Sequence, residues 1–457
     1  MTSMLVQVEE KSFSVEKTLL VENSEYFRAL FESGMKESRQ DEIKIQGLTN
    51  EGFCLMLSIL RGERPVLSCD EIIFAVECAA FLQVKSLTKY LINSVNSENC
   101  LVMFEAAATY GLLDLFHTAA LLIRDIYSKL ENDLDCLPED LISYIESLVP
   151  STLVAVGAHS PKPEFLEDCS RTVCYLDQQQ NKWKTLTKLP DEASTSLAGI
   201  TVLDNKVYIV GGVCGVNKQA VEQSFCYDVS SNTWSKFPSP QQLRYDLALT
   251  SKEGYLYAIG GEYERTLLAS VEKYEVSSKV WSFGSHLPQP AACTACTQTM
   301  GRIFICLWQP LDTTEIYEYE TNKDKWLLIA TLKRSQSYGH CLVSHRDNLY
   351  IIRNGPADDF LRCMIDRFNL TTLQLTTLSG QYVNSKGALF NAVVRGDTVL
   401  TVNKMLTLMY SIEENRWKPR KECTGFPRGG TVHTFLLRIP KKVLHSEADL
   451  IYFEKHL

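Results

Sequence analysis

Beyond residue 150 the chain spells out one module six times: an apolar strand running into Gly-Gly or a degenerate version of it, then an aromatic residue, then tryptophan after six intervening residues. The full copies are Val210-Gly211-Gly212 with Tyr227 and Trp234, and Ile259-Gly260-Gly261 with Tyr274 and Trp281. Worn copies follow: Leu307-Trp308 with Tyr319 and Trp326, Arg353-Asn354-Gly355 with Phe368 and Leu375, and Val402-Asn403 with Tyr410 and Trp417. A copy ahead of these runs from Val154-Ala155-Val156-Gly157 through Leu176-Asp177 to Trp183. The Trp-equivalent positions 183, 234, 281, 326, 375 and 417 are separated by 51, 47, 45, 49 and 42 residues. A period of that size is one four-stranded sheet, which cannot bury both faces alone, so the copies are expected to stack radially into a six-bladed propeller.

The motif has a mechanical reading. Paired glycines end the second strand where the chain turns sharply without a Cβ, and the aromatic residue and Trp of the outer strands pack between blades. The first copy shows only three strands before Trp183, while Gly430 to Arg438 reads as a strand with no blade of its own. The two ends are therefore expected to complete one sheet, with 441–457 as a charged tail.

Residues 1–150 read differently. They hold 12 Lys or Arg against 24 Asp or Glu, whereas the rest of the chain holds 34 against 31. Neither part shows a basic stripe, which argues against nucleic acid as a ligand. The start lacks a basic flank followed by an apolar core, and the longest apolar stretch, near Leu141 to Ala158, is broken by Glu146 and Pro150, so no membrane partner is expected. Fifteen cysteines, an odd number without framework spacing, fit a reducing cytoplasmic compartment. Cys293-x2-Cys296 has no second pair at zinc spacing and is read as core packing in an inner strand. His340 and His345 stand at opposite ends of a strand, and no metal is expected there either.

Leu5 to Val8 and Ser12 to Val15 alternate as a hairpin with one buried face. Ser24 caps a helix carrying Tyr26, Phe27, Leu30 and Phe31, with Gly34 placed for a left-handed end. A strand at Glu42–Ile45 and helices around Glu51–Leu60, Asp70–Leu82 and Lys85–Val95 follow, and residues 97–150 read as helical, with one helix started by Pro138. This order, with the run Glu-Tyr-Phe-Arg-Ala-Leu-Phe-Glu-Ser-Gly-Met-Lys-Glu-Ser over 25–38, resembles the BTB (POZ) domain. The helices after Glu98-Asn-Cys-Leu101 resemble a shortened BACK domain, and the repeat is similar to the kelch repeat. The expected organisation is an α/β BTB domain over 1–96, a BACK-like segment over 97–150, and an all-β kelch propeller over 151–440.

The chain is thus identified as a member of the BTB–BACK–kelch adaptor family. What the resemblance implies is a non-catalytic adaptor: the BTB domain binds cullin-3, and through it a RING-box protein, while the propeller holds the protein to be ubiquitinated. The family's cullin signature, an apolar residue, any residue, then Glu, falls on Met35, Lys36 and Glu37. An apolar anchor beside a carboxylate suits an interface, where buried area supplies affinity and charge sets orientation. The chain starts almost at the first BTB strand, without the helix that many relatives exchange across a homodimer, so the homodimer stays an open expectation.

Propellers bind on the rim where loops converge, since the strands are committed to packing. The loops after each Gly-Gly position carry Tyr263, Arg265, Trp308, Asp358, Asp359, Phe360 and Asn403. Those before the inner strands carry Arg244, Tyr245, Arg334, Tyr338, His340 and Arg428. Together they form the expected substrate-binding face, with an acidic or polar protein segment as its partner. A cytoskeletal or actin-binding scaffold is the alternative reading. An enzyme of the copper-oxidase type, which shares the propeller, would need a two-histidine copper site that these residues do not spell, and no Ser-His-Asp, phosphate-loop or paired-carboxylate set appears. No cofactor is expected.

Overall fold

The computed structural model describes residues 3–34, 40–159, 170–215, 218–309, 313–333, 340–354, 362–378, 382–383, 391–402, 406–422 and 432–444. They form two compact units, Met1–Leu148 and Val149–Leu457.

In the first unit β1 (Ser3–Val8) pairs antiparallel with β2 (Lys11–Glu16) and parallel with β3 (Glu42–Ile45). Alternation sends Met4, Val6, Val8, Ile43 and Ile45 into the core and leaves Leu5 outside. Helices α1 (Lys17–Asn23), α2 (Glu25–Glu32), α3 (Asn50–Leu60), α4 (Cys69–Phe81) and α5 (Lys85–Ser94) cover this sheet. Ser24 ties α2 in place. Its hydroxyl accepts the Phe27 N–H at 3.2 Å and donates to the Leu82 carbonyl at 2.6 Å, which anchors the helix start to the end of α4. Gly34 follows α2 with φ +69°. Ser68 and Glu71 form a capping box at α4.

Helices α6 (Cys100–Tyr110), α7 (Leu113–Asp125), α8 (Tyr127–Leu134) and α9 (Glu139–Ser147) share the same core. Phe104, Leu115, Ile123 and Ile145 belong to one apolar cluster with Val6, Phe27 and Leu87. Rings of Phe104, Phe116 and Tyr144 stack in series at 4.5 and 4.9 Å. At the expected boundary near residue 97 helix α5 gives way to helix α6, and one core runs through it.

Among the described residues of the second unit, six sheets are blades and two more are two-stranded hairpins. Blade 1 has strands 433–437, 152–159, 170–177 and 182–188, and its innermost strand comes from the far end of the sequence: His433–Leu437 pairs with Thr152–Val156. Blades 2 to 6 begin with inner strands Ala198–Leu203, Ala248–Lys252, Ala295–Thr299, His340–His345 and Asn391–Arg395. These strands neighbour one another in that order, and the last neighbours His433–Leu437, which in turn neighbours Ala198–Leu203, so the ring closes. A cavity of about 620 Å³ lined by all six inner strands marks the axis.

The repeated aromatic and Trp face each other directly across the two outer strands: Tyr227 opposite Trp234, Tyr274 opposite Trp281, Tyr319 opposite Trp326, Phe368 opposite Leu375, and Tyr410 opposite Trp417. Ring centroids lie 5.0, 5.1, 4.6 and 5.4 Å apart in the four aromatic pairs. The indole N–H then reaches the preceding blade. Trp281 donates to the Pro238 carbonyl at 2.6 Å and Trp326 to the Ser285 carbonyl at 3.0 Å, so the fixed spacing is both a cross-strand pair and an inter-blade tie. Between each aromatic and its Trp the hairpin passes through the left-handed region. Asn232 and Asn415 occupy it at φ +54° and +51° and accept the hydroxyls of Tyr227 and Tyr410 at 2.7 and 2.6 Å.

The described residues reach Leu444, past the expected propeller boundary at 440. Val443 is buried and clusters with Leu437, Ile439 and Leu189, so the first residues of the expected tail belong to the core.

Candidate functional site

Among the described residues, two surfaces bear on the expected sites. The first is one mouth of the propeller channel. Leu197, Asp246 and Cys293 stand one repeat apart, each at φ +54°, just ahead of the inner strands of blades 2, 3 and 4. Their backbones form a chain across the blades, with the Asp246 N–H donating to the Leu197 carbonyl at 2.6 Å and the Cys293 N–H to the Asp246 carbonyl at 2.9 Å. Left-handed non-glycine residues are strained, and the inter-blade hydrogen bonds hold them there. All three line the cavity. Burial, with Glu262 as a lesser cause, pushes the Asp246 carboxyl above the ordinary range. Beside it the hairpin Glu262–Tyr263 to Thr266–Leu267 rises from blade 3. Tyr245 is laced to it, exchanging backbone hydrogen bonds with Glu262 at 3.0 and 2.8 Å and donating its hydroxyl to Glu262 Oε1 at 3.1 Å. Tyr263 is half-buried and Arg265 exposed on this hairpin.

Arg244, one residue before Tyr245, goes the other way. It is 1% exposed. Its Nη1 donates to the carbonyls of Gly260 and Ser270, both at 2.9 Å, and Nη2 donates to Glu272 Oε1 at 2.6 Å and Ser270 Oγ at 3.1 Å. Glu272 also accepts the backbone N–H groups of Gln241 and Gln242 at 2.7 and 3.1 Å. Buried charge persists only when paired and hydrogen-bonded, and this guanidinium is both. The carbonyl of Arg244 lies where a Cβ on Gly211 would sit, 2.1 Å from it. The glycine at φ +66° is what lets blade 2 close on this loop.

The second surface is on the first unit. Ile73, Glu77 and Phe81 stand four apart on α4, and Ile73 and Phe81 are 38% and 41% exposed. The Tyr110 hydroxyl donates to Glu77 Oε1 at 3.3 Å. The Phe81 ring lies 5.6 Å from that of Tyr26 on α2. The buried residues of α4 are Ile72, Ala75, Val76, Cys78 and Ala79, so these two large apolar residues are in surplus of what the core uses.

Comparison with known proteins bears on both surfaces. The BTB/POZ domain family matches residues 1–98, and the Kelch motif matches residues 194–241 and 243–288. The chain is 53% identical over 440 residues, 96% of each chain, to Kelch repeat and BTB domain-containing protein 13 of Homo sapiens. The chain belongs to the BTB–kelch family. Its similarity to the Mus musculus protein of the same name is 55% over 436 residues, 95% of each chain. Kelch-like protein 42 of Mus musculus is 29% identical over 290 residues, 56% of this chain and 58% of that one.

Within this BTB–kelch protein the expected site residues separate. Tyr245, Tyr263 and Arg265 come together at the hairpin that follows Gly261, with Tyr245 next in the chain to the cavity-lining Asp246. Arg244 does not join them, because Glu272 and two carbonyls claim its guanidinium inside blade 3. Trp308 and His340 lie in strands, at Arg302–Gln309 and His340–His345, with side chains outside the described set. Met35, Lys36, Glu37, Arg334, Tyr338, Asp358, Asp359, Phe360, Asn403 and Arg428 fall outside the described residues. Cys293 was expected within a strand and instead precedes it, exposed, with Cys296 inside the strand. His345 Nε2 contacts Asp397 Oδ1 at 2.8 Å, and no His, Cys, Asp and Glu cluster fit for a metal occurs among the described residues. Sequence reasoning missed Asp246 and the Ile73–Phe81 stripe. The signal for the stripe was available: α4 is apolar on more than one face, which a helix with a single core contact does not need.

Proposed function

We propose that this chain is the substrate-recognition adaptor of a cullin-3 RING ubiquitin ligase acting in the cytoplasm, with the first unit binding cullin-3 and the propeller mouth holding the protein to be modified. The observation that carries the reading is the exposed apolar stripe of Ile73 and Phe81, in contact with α2 through Tyr26. The segment that follows α2 and Gly34 is Met35-Lys36-Glu37. An interface anchored there would bury surplus apolar surface and align it with carboxylates at Glu37 and Glu77. The propeller supports the second half of the reading with Tyr245, Tyr263 and Arg265, residue types favoured in hot spots, at the hairpin beside the cavity-lining Asp246.

The test is co-precipitation of cullin-3 with the full chain. Met35→Asp combined with Glu37→Lys, and separately Phe81→Glu, should each weaken cullin-3 binding by at least about thirtyfold, the equivalent of about 2 kcal/mol. Propeller partners should be retained by both variants. Wild-type protein that fails to bind cullin-3 at micromolar concentration would transfer the assignment to a scaffold without ligase function.

A further inference from the structure

The outer hairpin of each blade repeats more than its aromatic pair. Two residues before each Trp position the chain passes through the left-handed region, at Asn181, Asn232, Lys279, Asp324, Leu373 and Asn415, with φ between +49° and +59°. Asn and Asp tolerate that conformation best, and Lys279 keeps its position polar. Blade 5 alone places leucine there, 55% exposed, and a second leucine, Leu375, at the Trp position itself. Leu375 pairs with Phe368 yet is 37% exposed, where Trp183 and Trp281 are each 5% exposed.

The other copies show what this leucine replaces. The indole N–H of Trp234 donates to Thr187 Oγ1 at 3.3 Å, as Trp281 and Trp326 donate to the carbonyls of Pro238 and Ser285. Each acceptor stands four residues beyond the Trp position of the preceding blade. The residue so placed in blade 4 is Ala330, and Leu375 has no N–H to offer it. Ile329, Ala330 and Leu370 are only half-buried here, around Phe368 and Ile316. The outer seam between blades 4 and 5 therefore lacks the indole that covers its counterparts and shows solvent two leucines that the ring does not use. Two rules of the repeat are broken within one hairpin while the ring stays closed.

The charge along this seam has one sign. Residues 325–333 of blade 4 and 369–378 of blade 5 contain two lysines, Lys325 and Lys333, and no acidic residue. Both are exposed, and among the described residues neither has an ion-pair partner. Glu320 stands opposite Lys325 in the sheet, but its carboxylate contacts Lys323. The lysines mark the two ends of the outer strand, so a second copy pairing antiparallel along it would set Lys325 against Lys333, which like-charge repulsion disfavours.

We propose that the outer seam of blades 4 and 5 is a docking site for a partner protein that lays an aromatic side chain on Leu373 and Leu375 and brings acidic residues to Lys325 and Lys333. An aromatic anchor supplies the area the seam lacks, and carboxylates on either side of it meet the lysines. Tryptophan is the best fit, since it carries the N–H that blade 5 does not. The seam lies on the perimeter of the ring and does not depend on the cullin-3 reading.

The experiment is fluorescence anisotropy of a labelled peptide, Glu-Glu-Ser-Ser-Trp-Ser-Ser-Glu-Glu, titrated with the full chain; its length matches the nine-residue strand Lys325–Lys333. Saturable binding is expected, at least tenfold tighter than for the same peptide with Ala in place of Trp, or with Lys in place of Glu. Leu375→Trp and Leu373→Asn restore what the other blades carry. Each should weaken peptide binding at least tenfold and melt no lower than wild type. Lys325→Glu combined with Lys333→Glu should weaken binding as much. Absence of binding at millimolar concentration, equal affinity for the lysine peptide, or unchanged affinity in Leu375→Trp would overturn the proposal. A lower melting temperature for Leu373→Asn would do so as well, by showing that the leucine serves packing.

Discussion

Replacing Arg244 by alanine distinguishes a rim contact from an internal clamp. A rim arginine would cost affinity and leave the fold alone. Here the substitution strips the donors from the Gly260 and Ser270 carbonyls, which sit 2.9 Å from Nη1, and removes the cation 2.6 Å from Glu272. Breaking a buried ion pair by deleting one partner costs about 3–5 kcal/mol, since the remaining charge has no water. Glu272 keeps two backbone N–H donors from Gln241 and Gln242, so the loss belongs at the lower end, about 3 kcal/mol. For a unit of this size that lowers the melting temperature by roughly 6 °C. Arg244→Lys keeps the charge without the planar fork and should recover only part of the loss. Circular dichroism melts and urea titrations of the full chain measure both. An Arg244→Ala protein that melts with wild type yet loses propeller partners would refute the buried-clamp account and return the residue to the binding face.

Truncation after Leu444 keeps His433–Leu437 and Val443 and should leave the propeller melt unchanged, whereas truncation before Gly430 removes the strand paired with Thr152–Val156 and should unfold the ring; circular dichroism separates the two. His433 ionises at about 4 when folded and near its ordinary 6.5 when unfolded. The unfolded chain therefore holds more protons between these values, and stability should fall as pH drops from 6.5 toward 5, a slope that His433→Phe reduces in urea midpoints. Asp228 is held down to about 2 by Lys206, then by Ser230. Its contribution is present above its ordinary 3.8 and lost as pH falls toward 2, and Asp228→Asn should flatten that acid limb.

What was legible in the sequence was whatever the repeat makes obligatory. Tyr-x6-Trp reads as packing between blades; the structure adds that it is a cross-strand pair, because an antiparallel hairpin with a left-handed turn residue places those two positions opposite each other. Ser24 and Gly34 marked the ends of α2 because capping is local chemistry. The strand near the end of the chain was found by counting, since the first copy lacked one. Arg244 was not legible as a clamp. Its partner Glu272 lies on the third strand, and alternation alone does not reveal that an acidic residue there faces inward. The short helix α1 was missed for a related reason, since seven residues give no periodicity to read.

The buried acidic position also shows how the blades diverge. Glu272 stands two residues before Tyr274, and Asp366 stands two before Phe368, so the same place in blades 3 and 5 carries a carboxylate. In blade 3 it is neutralised by Arg244 from the loop ahead of the inner strand. In blade 5 the cation is Arg353, in the second strand at the first glycine position. Using that position for a cation displaces the Gly-Gly signature. The Kelch motif matches only residues 194–241 and 243–288, which hold the two intact Gly-Gly copies. Blades 4, 5, 6 and 1 depart from the pattern and place Thr294, Cys341, Arg353, Asn391 and His433 along the cavity wall. A local rule broken without loss of the ring signals a position kept for something other than packing. The weakest copies of the repeat are therefore where the chemistry of this propeller is concentrated.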